Sequence, residues 1–128
     1  MRISSIDHIT INCRDADASF KFYEQVLGLK KLSEVDLGDH VLHYYELPGT
    51  RLELIVYTDE QKIIESGNTD TGIYRHMAFV VDDLEKAHNT VKEAGCKINL
   101  APKFIPEIGK TVMLFADPNG VEIEFIQA

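Results

Sequence analysis

The feature that most constrains the fold of this chain is an internal repeat. The segment IDHITINCRDADASFKFYEQVLGLK aligns with the later segment YRHMAFVVDDLEKAHNTVKEAGCK, and each is followed by further strand-like runs. Repetition constrains a fold more than any single predicted strand does, because each copy is one supersecondary unit. The matched positions are His8 with His76, Asp15 with Asp83 and, after a one-residue shift, Gly28 with Gly95.

Each copy reads as one strand, one helix and three more strands. An aspartate can cap the start of each helix, and a glycine ends it. The predicted strands of the first half are 5–13, 30–36, 41–47 and 51–57, around a helix that starts at Asp15 or Asp17 and ends at Gly28. Those of the second half are 76–82, 96–100, 111–116 and 121–127, with a helix over 83–94 and a loop over 101–109.

The predicted fold class is therefore α+β, with two tandem βαβββ modules. One such module leaves a sheet face uncovered, so we expect the two to form one curved mixed sheet. The predicted organisation is a single domain, 1–128, made of module 1–57, connector 58–72 and module 73–128.

Composition excludes several classes of protein. The 128 residues carry a net charge of −8 without a basic stripe, which argues against nucleic acid as a partner. No apolar run reaches the roughly 20 residues that span a bilayer. The N-terminus lacks the apolar core of a signal peptide and the chain has 2 cysteines, so we expect a cytoplasmic protein without a membrane partner.

Polar residues recur at matching places on otherwise apolar strands. The first strand of each half carries a histidine, His8 or His76, and the last strand carries glutamate: Glu53 in the first half, Glu122 and Glu124 in the second. A carboxylate is rarely buried unpaired. Alternation does not choose between Glu122 and Glu124, which share one face of their strand.

Two imidazoles and two carboxylates from symmetric places suggest a shared divalent cation. Such a donor set suits Ni²⁺, Co²⁺, Zn²⁺, Mn²⁺ or Fe²⁺ and leaves octahedral positions open for substrate, as in a catalytic site. Taken singly, each histidine is better explained as a hydrogen-bonded core group, and each glutamate as part of a solvated sheet face. Their symmetric recurrence is what favours metal ligation, so the predicted curved sheet surrounds a metal-binding cleft.

The strands DHITINCRD and RHMAFVVDD, the FYEQVLGLK segment and the FADPNGVEIEF ending resemble the vicinal oxygen chelate superfamily over essentially the whole chain. Within it, the order His, Glu, His, Glu is similar to glyoxalase I (lactoylglutathione lyase). The resemblance implies His8, Glu53, His76 and Glu124 as metal ligands, because the family glutamate falls seven residues after Asp117. It also implies a homodimer and a small-molecule substrate.

The same resemblance implies a reaction. Glyoxalase I moves a proton between adjacent carbons of a thiol adduct of a 2-oxoaldehyde, by way of an enediolate, and so detoxifies methylglyoxal. Glu124 is the first candidate for the base and Glu53 the second. The absence of long insertions favours Ni²⁺ or Co²⁺ over Zn²⁺, with Mn²⁺ or Fe²⁺ as further possibilities.

Two positions depart from glyoxalase I, which usually has arginine where this chain has Asn12 and often asparagine where it has Tyr57. The use of glutathione or another thiol as cosubstrate is therefore open. Asn12, Tyr57 and Lys110 are candidates for substrate binding, and a structural or solvent-exposed role is the alternative for each.

Other functions in the superfamily stay open as alternatives. A methylmalonyl-CoA epimerase usually has glutamine where Glu53 stands, and a fosfomycin-modifying thiol transferase has three ligands and a potassium loop that this sequence lacks. An extradiol dioxygenase is usually longer. A non-enzymatic binding or resistance protein of the bleomycin-sequestering type generally loses the ligands that are present here.

Overall fold

The computed structural model describes residues 1–67 and 69–128, in two compact units, Met1–Ile63 and Ile64–Ala128. Asn68, which belongs to the predicted connector 58–72, lies outside the described residues. No helix in the described part of the chain is long and apolar enough to cross a membrane.

The first unit is a four-stranded mixed sheet with one helical segment. Its elements are β1 (Ile9–Asn12), α1 (Ala16–Phe20), β2 (Lys31–Asp36), β3 (His40–Leu47) and β4 (Thr50–Tyr57). Helix α1 continues directly into π-helical turns over Lys21–Val26. The strand order is β1-β4-β3-β2, with β1 parallel to β4 and the other neighbours antiparallel.

The second unit repeats this topology. Its elements are β5 (Met77–Val81), α2 (Leu84–Glu93), β6 (Ile98–Ile105), β7 (Lys110–Ala116) and β8 (Glu122–Gln127). The strand order is β5-β8-β7-β6, with β5 parallel to β8 and the other neighbours antiparallel. The predicted α+β class with two βαβββ modules is thus confirmed.

Matching caps begin the two helices. Asp15 accepts a hydrogen bond from the Ala18 backbone N–H at 3.0 Å, and Asp83 accepts one from Lys86 at 2.9 Å. Each carboxylate satisfies an amide that has no partner within the helix. In each unit the cap therefore marks the point where the chain has left the first strand and starts the helix.

Period-2 alternation separates a core face from a polar face in each sheet. On β4, Leu52 and Leu54 are fully buried, and on β8 Ile123 and Phe125 are buried. Helix α2 packs against this second sheet through its buried Leu84 and Val91. Since successive side chains point to opposite faces, the glutamates between the core residues point away from the core.

The structure corrects one part of the predicted second half. The loop expected over 101–109 is strand as far as Ile105, because β6 covers Ile98–Ile105. Its register against β7 shifts between Leu100 and Lys103, where Pro102 lies. Proline is tolerated there because β6 is an edge strand with a bulge, which does not need every N–H for the sheet.

The first strand of each unit is also shorter than predicted. The prediction was 5–13 for the first and 76–82 for the second, whereas β1 begins at Ile9 and β5 at Met77. His8 and His76 therefore lie immediately before their strands. The symmetry of the two positions is retained.

Candidate metal centre

Glu53 is held by the parallel pairing of β1 with β4. The register places Thr10 opposite Glu53, and the Thr10 hydroxyl donates to Glu53 Oε1 at 3.1 Å. From the other side, Tyr44 of β3 pairs with Glu53. The Glu53 carboxylate beside the Tyr44 hydroxyl raises the pKa of Tyr44 above its ordinary value of 10.0. Glu53 thus accepts a hydrogen bond from one hydroxyl and lies next to a second, although its side chain is only 7% exposed.

His8 completes the first half of the site. Its Nε2 lies 3.8 Å from Glu53 Oε2, and its Nδ1 lies 2.6 Å from Asp7 Oδ2. The Tyr44 ring meets the imidazole edge-on, with centroids 6.4 Å apart. The imidazole therefore presents one nitrogen to Glu53 and the other to a different carboxylate.

The second unit contains the equivalent pair. Nε2 of His76 lies 2.8 Å from Glu124 Oε2. The strands on either side place Ala78 and Leu114 opposite Glu124, where the first unit has Thr10 and Tyr44. At these two positions Glu124 therefore meets no hydroxyl, in contrast to Glu53.

Glu122, the other glutamate of β8, has different partners. It accepts hydrogen bonds from Arg75 and from Asn99 Nδ2, the latter at 3.1 Å. Its Oε1 is 3.5 Å from Nδ1 of His76. Glu124 is thus the glutamate that faces Nε2 of the histidine, and Glu122 faces the opposite side of the ring.

Sequence reasoning missed the residues that surround these pairs, namely Thr10, Tyr44, Asp7, Arg51 and Arg75. Arg51 donates to Asp7 Oδ2 at 2.8 Å, and its guanidinium carbon lies 4.4 Å from the centroid of the Tyr44 ring. The repeat alignment held a signal for some of them: charged residues precede both histidines and stand two positions before Glu53 and Glu124.

The predicted substrate-binding residues lie on strands of the two units. Asn12 pairs with Ile55 at the exposed end of β1, on the alternating face that includes Thr10. Tyr57 ends β4 on the face of Glu53 and stacks on His40, with ring centroids 4.9 Å apart. Lys110 is exposed at the start of β7. Substrate binding by these three residues stays a prediction.

The remaining histidines have other surroundings. His40 contacts Asp39 as well as Tyr57, and His88 lies on α2. His43 is buried, with its ring centroid 4.7 Å from that of Phe20. Burial, followed by the nearby Lys31 charge, lowers the pKa of His43 below its ordinary value of 6.5.

The two His–Glu pairs fit a divalent metal ion by donor chemistry. Two ligands bound at right angles to one ion lie about 3 Å apart when each bond is 2.0–2.2 Å long. The separations of 3.8 Å and 2.8 Å lie on either side of that value. Among residues 1–67 and 69–128, no group of three or more His, Cys, Asp or Glu side chains is placed to hold a metal ion. The structure thus shows the four predicted ligands as two separate pairs, one within each unit.

Comparison with known proteins gives a match over nearly the whole chain. Residues 5–125 match the family described as the Glyoxalase/Bleomycin resistance protein/Dioxygenase superfamily. A lactoylglutathione lyase of Neisseria meningitidis is 34% identical over 128 residues, which cover 94% of this chain and 88% of that protein.

Two further comparisons bear on length and fold. A lactoylglutathione lyase of Oryza sativa subsp. japonica is 28% identical over 131 residues, covering 92% of this chain and 42% of the rice protein. The chain thus spans less than half the length of that relative. The crystal structure of a glyoxalase family protein from Enterococcus faecalis has a TM-score of 0.81 at 23% identity, covering 98% of this chain and 99% of that chain. At this identity the likeness shows the fold.

Proposed function

The chain belongs to the Glyoxalase/Bleomycin resistance protein/Dioxygenase superfamily, and we propose that it is a glyoxalase I-like, metal-dependent lyase. It moves a proton between adjacent carbons of the adduct that a thiol forms with a 2-oxoaldehyde such as methylglyoxal. The observation that carries the proposal is the occurrence of one His–Glu contact in each unit, His8 with Glu53 and His76 with Glu124. We further propose a cytoplasmic homodimer, with the four ligands drawn from one chain or from two.

These four side chains would hold one divalent ion, with Ni²⁺ or Co²⁺ favoured over Zn²⁺, Mn²⁺ or Fe²⁺. Two nitrogen and two oxygen donors of this kind would suit such an ion and would not saturate it. When bound, the ion stabilises the negative charge that develops on the substrate's oxygens as the C–H proton leaves. The protein's own side chains carry out the proton transfer.

Glu124 is the proposed base that takes the proton from one carbon and returns it to the next. The supporting observation is its environment: its contact is His76, and its strand neighbours Ala78 and Leu114 offer no hydroxyl. A carboxylate held by few hydrogen-bond donors can move toward the carbon whose proton it takes. The proton leaves and returns through the same carboxylate, so no further reactant is needed.

Glu53 is proposed to stay in place as a metal ligand. The Thr10 hydroxyl donates to it at 3.1 Å and the Tyr44 hydroxyl lies beside it, so two neighbouring side chains restrain this carboxylate. The two glutamates thus differ in role because their neighbours differ. Asn12, Tyr57 and Lys110 are proposed to contact the substrate beyond the reacting carbons.

Turnover by metal-reconstituted protein tests this proposal. The chain, loaded in turn with each of the five metals, is mixed with methylglyoxal and a panel of thiols that includes glutathione, and thioester formation is followed. We expect turnover with at least one thiol, slowed when the transferred hydrogen is deuterium. If metal binds normally but no thiol adduct is converted, the proposal is wrong. Assays with an acyl-CoA epimer, fosfomycin plus thiol, and a catechol then distinguish the alternatives.

A further inference from the structure

An arginine–carboxylate pair stands beside each of the two candidate ligand histidines. Arg51 pairs with Asp7 in the first unit, and Arg75 pairs with Glu122 in the second. The pairs occupy equivalent positions, the residue before the histidine and the residue two before the glutamate, but their charges are reversed. Asp7 precedes His8 and Arg51 is on β4, whereas an arginine precedes His76 and the carboxylate is on β8.

Despite that reversal, both pairs place a carboxylate oxygen behind the imidazole. Asp7 Oδ2 accepts from Arg51 and lies 2.6 Å from His8 Nδ1. Glu122 Oε1 likewise accepts from Arg75 and lies 3.5 Å from His76 Nδ1. In each unit a single carboxylate oxygen therefore faces both the arginine and Nδ1 of the histidine.

Nδ1 of His76 gives independent support. It is buried and has no hydrogen-bond partner among the described residues, and the carboxylate oxygen at 3.5 Å is poised to become one. An ionised carboxylate can only accept a hydrogen bond, so a ring nitrogen bonded to it must carry the proton. The other nitrogen, Nε2, is then the one with a free lone pair, and in both histidines Nε2 faces the candidate ligand glutamate.

We infer that Asp7 and Glu122, each anchored by an arginine, are positioning residues that orient His8 and His76 and keep the proton on Nδ1 when a metal occupies the site. The inference rests on the proposed metal site. Carboxylates hydrogen-bonded to ligand histidines act in this way in metal sites generally, and their loss costs about 10- to 100-fold in metal affinity.

Stability alone does not account for the Asp7–Arg51 pair. The Asp7 side chain is 73% exposed, and exposed ion pairs contribute little to folding. Conversely, Glu122 is only 11% exposed and has a second donor, Asn99, so it is fixed in place behind the ring. What the two environments share is the carboxylate behind Nδ1.

The test combines two readouts on Asp7→Ala and Glu122→Ala: Zn²⁺ affinity, by chelator competition, and imidazole ¹⁵N shifts, which report which ring nitrogen carries the proton. The matched control is Asp39→Ala, since Asp39 Oδ1 lies 2.5 Å from Nδ1 of the following residue, His40, which is not a candidate ligand. We expect each test variant to lose about 10- to 100-fold in Zn²⁺ affinity. We also expect His8 of metal-free wild type to carry its proton on Nδ1 and to lose that preference in Asp7→Ala. The control should perturb His40 and leave Zn²⁺ affinity unchanged.

Charge reversal gives a rescue experiment. Asp7→Arg alone places two arginines together and should weaken Zn²⁺ binding, whereas Asp7→Arg with Arg51→Glu recreates the arrangement of the second unit and should recover most of the affinity. Asp7→Asn, which keeps an acceptor oxygen, should lose less than Asp7→Ala and serves if the alanine variant does not fold.

The experiment distinguishes failure of this inference from failure of the proposed function. If folded Asp7→Ala keeps the wild-type proton position on His8, and folded Asp7→Ala and Glu122→Ala keep the wild-type Zn²⁺ affinity, the inference is overturned while the metal site stands. If the wild type binds no metal, the proposed function fails, and the inference fails with it as a statement about a metal site.

Discussion

Nε2 of His76 lies 2.8 Å from Oε2 of Glu124, and the equivalent atoms of His8 and Glu53 are 3.8 Å apart. The same two residue types meet in both copies of the repeat, immediately before the first strand and in the middle of the last. Parallel pairing of these two strands within each unit is what brings them together. The contact is thus a property of the βαβββ module, and each of the two copies contains one such contact.

Removal of one histidine tests ligation directly. We predict that His76→Ala loses more Zn²⁺ or Ni²⁺ affinity than the roughly 10- to 100-fold cost of losing an outer partner. The fold should survive, because His76 precedes β5 and does not belong to the buried core. Isothermal titration and thermal unfolding measure the two effects. His88→Ala on α2 is the control, and equal metal affinity in both variants would count against ligation by His76.

The two glutamates should differ when each is made neutral. Glu124→Gln is predicted to lower kcat by about 10²- to 10⁴-fold at saturating metal, the usual contribution of a general base. Glu53→Gln should act chiefly by weakening metal binding, and excess metal should restore part of its activity. Steady-state kinetics over a range of metal concentrations separate the two. A Glu124→Gln enzyme with wild-type kcat would remove Glu124 from the role of base.

The hydroxyls on Glu53 should matter to the metal and little to the fold. Thr10→Val removes a donor to this carboxylate and Tyr44→Phe removes a hydroxyl beside it, so we expect a loss of about tenfold or more in metal affinity for each variant. Thr58→Val removes a hydroxyl that donates instead to the Asp39 carbonyl, and is the control. Metal affinity that is the same in all three variants would show that the hydroxyls do not restrain Glu53.

Stability should depend on pH through His43. Burial holds its folded-state pKa below 6.5, against the opposing effect of Glu34. The unfolded chain therefore binds this proton more readily, and the stability that His43 contributes is present above pH about 6.5 and lost as pH falls through the folded-state pKa. Denaturant unfolding of wild type and His43→Gln should show a smaller loss of stability in the variant between pH about 7 and 5. Parallel pH dependences in the two proteins would contradict the assignment.

The sequence predicted the topology because each copy of the repeat contains the residue that caps its helix. Asp15 and Asp83 cap the two helices at the positions that the alignment matched. The boundaries were less predictable: Pro102 suggested a loop, but a bulge on an edge strand accommodates it. Whether a proline falls on an edge strand depends on the order of the strands in the sheet, and this order cannot be read from the local sequence.

The sequence predicted the residue types of the candidate site, but it did not predict which neighbouring side chains contact them. Alternation left Glu122 and Glu124 equivalent, and the family resemblance selected Glu124. Side-chain contacts separate Glu122, which pairs with Arg75, from Glu124, which faces Nε2 of His76. Thr10 and Tyr44 were missed because their contact with Glu53 depends on strand register. Ligation of a metal by the four predicted residues itself stays a prediction.

The most direct test of the central claim is the metal content of the purified chain after loading with Ni²⁺, Co²⁺ or Zn²⁺ and removal of excess ion. Four ligands that form one site predict about one equivalent per chain in the wild type and a marked loss in His8→Ala, Glu53→Ala, His76→Ala and Glu124→Ala alike. Wild-type protein that retains less than about a tenth of an equivalent with all three metals would contradict the account and favour a non-enzymatic binding protein.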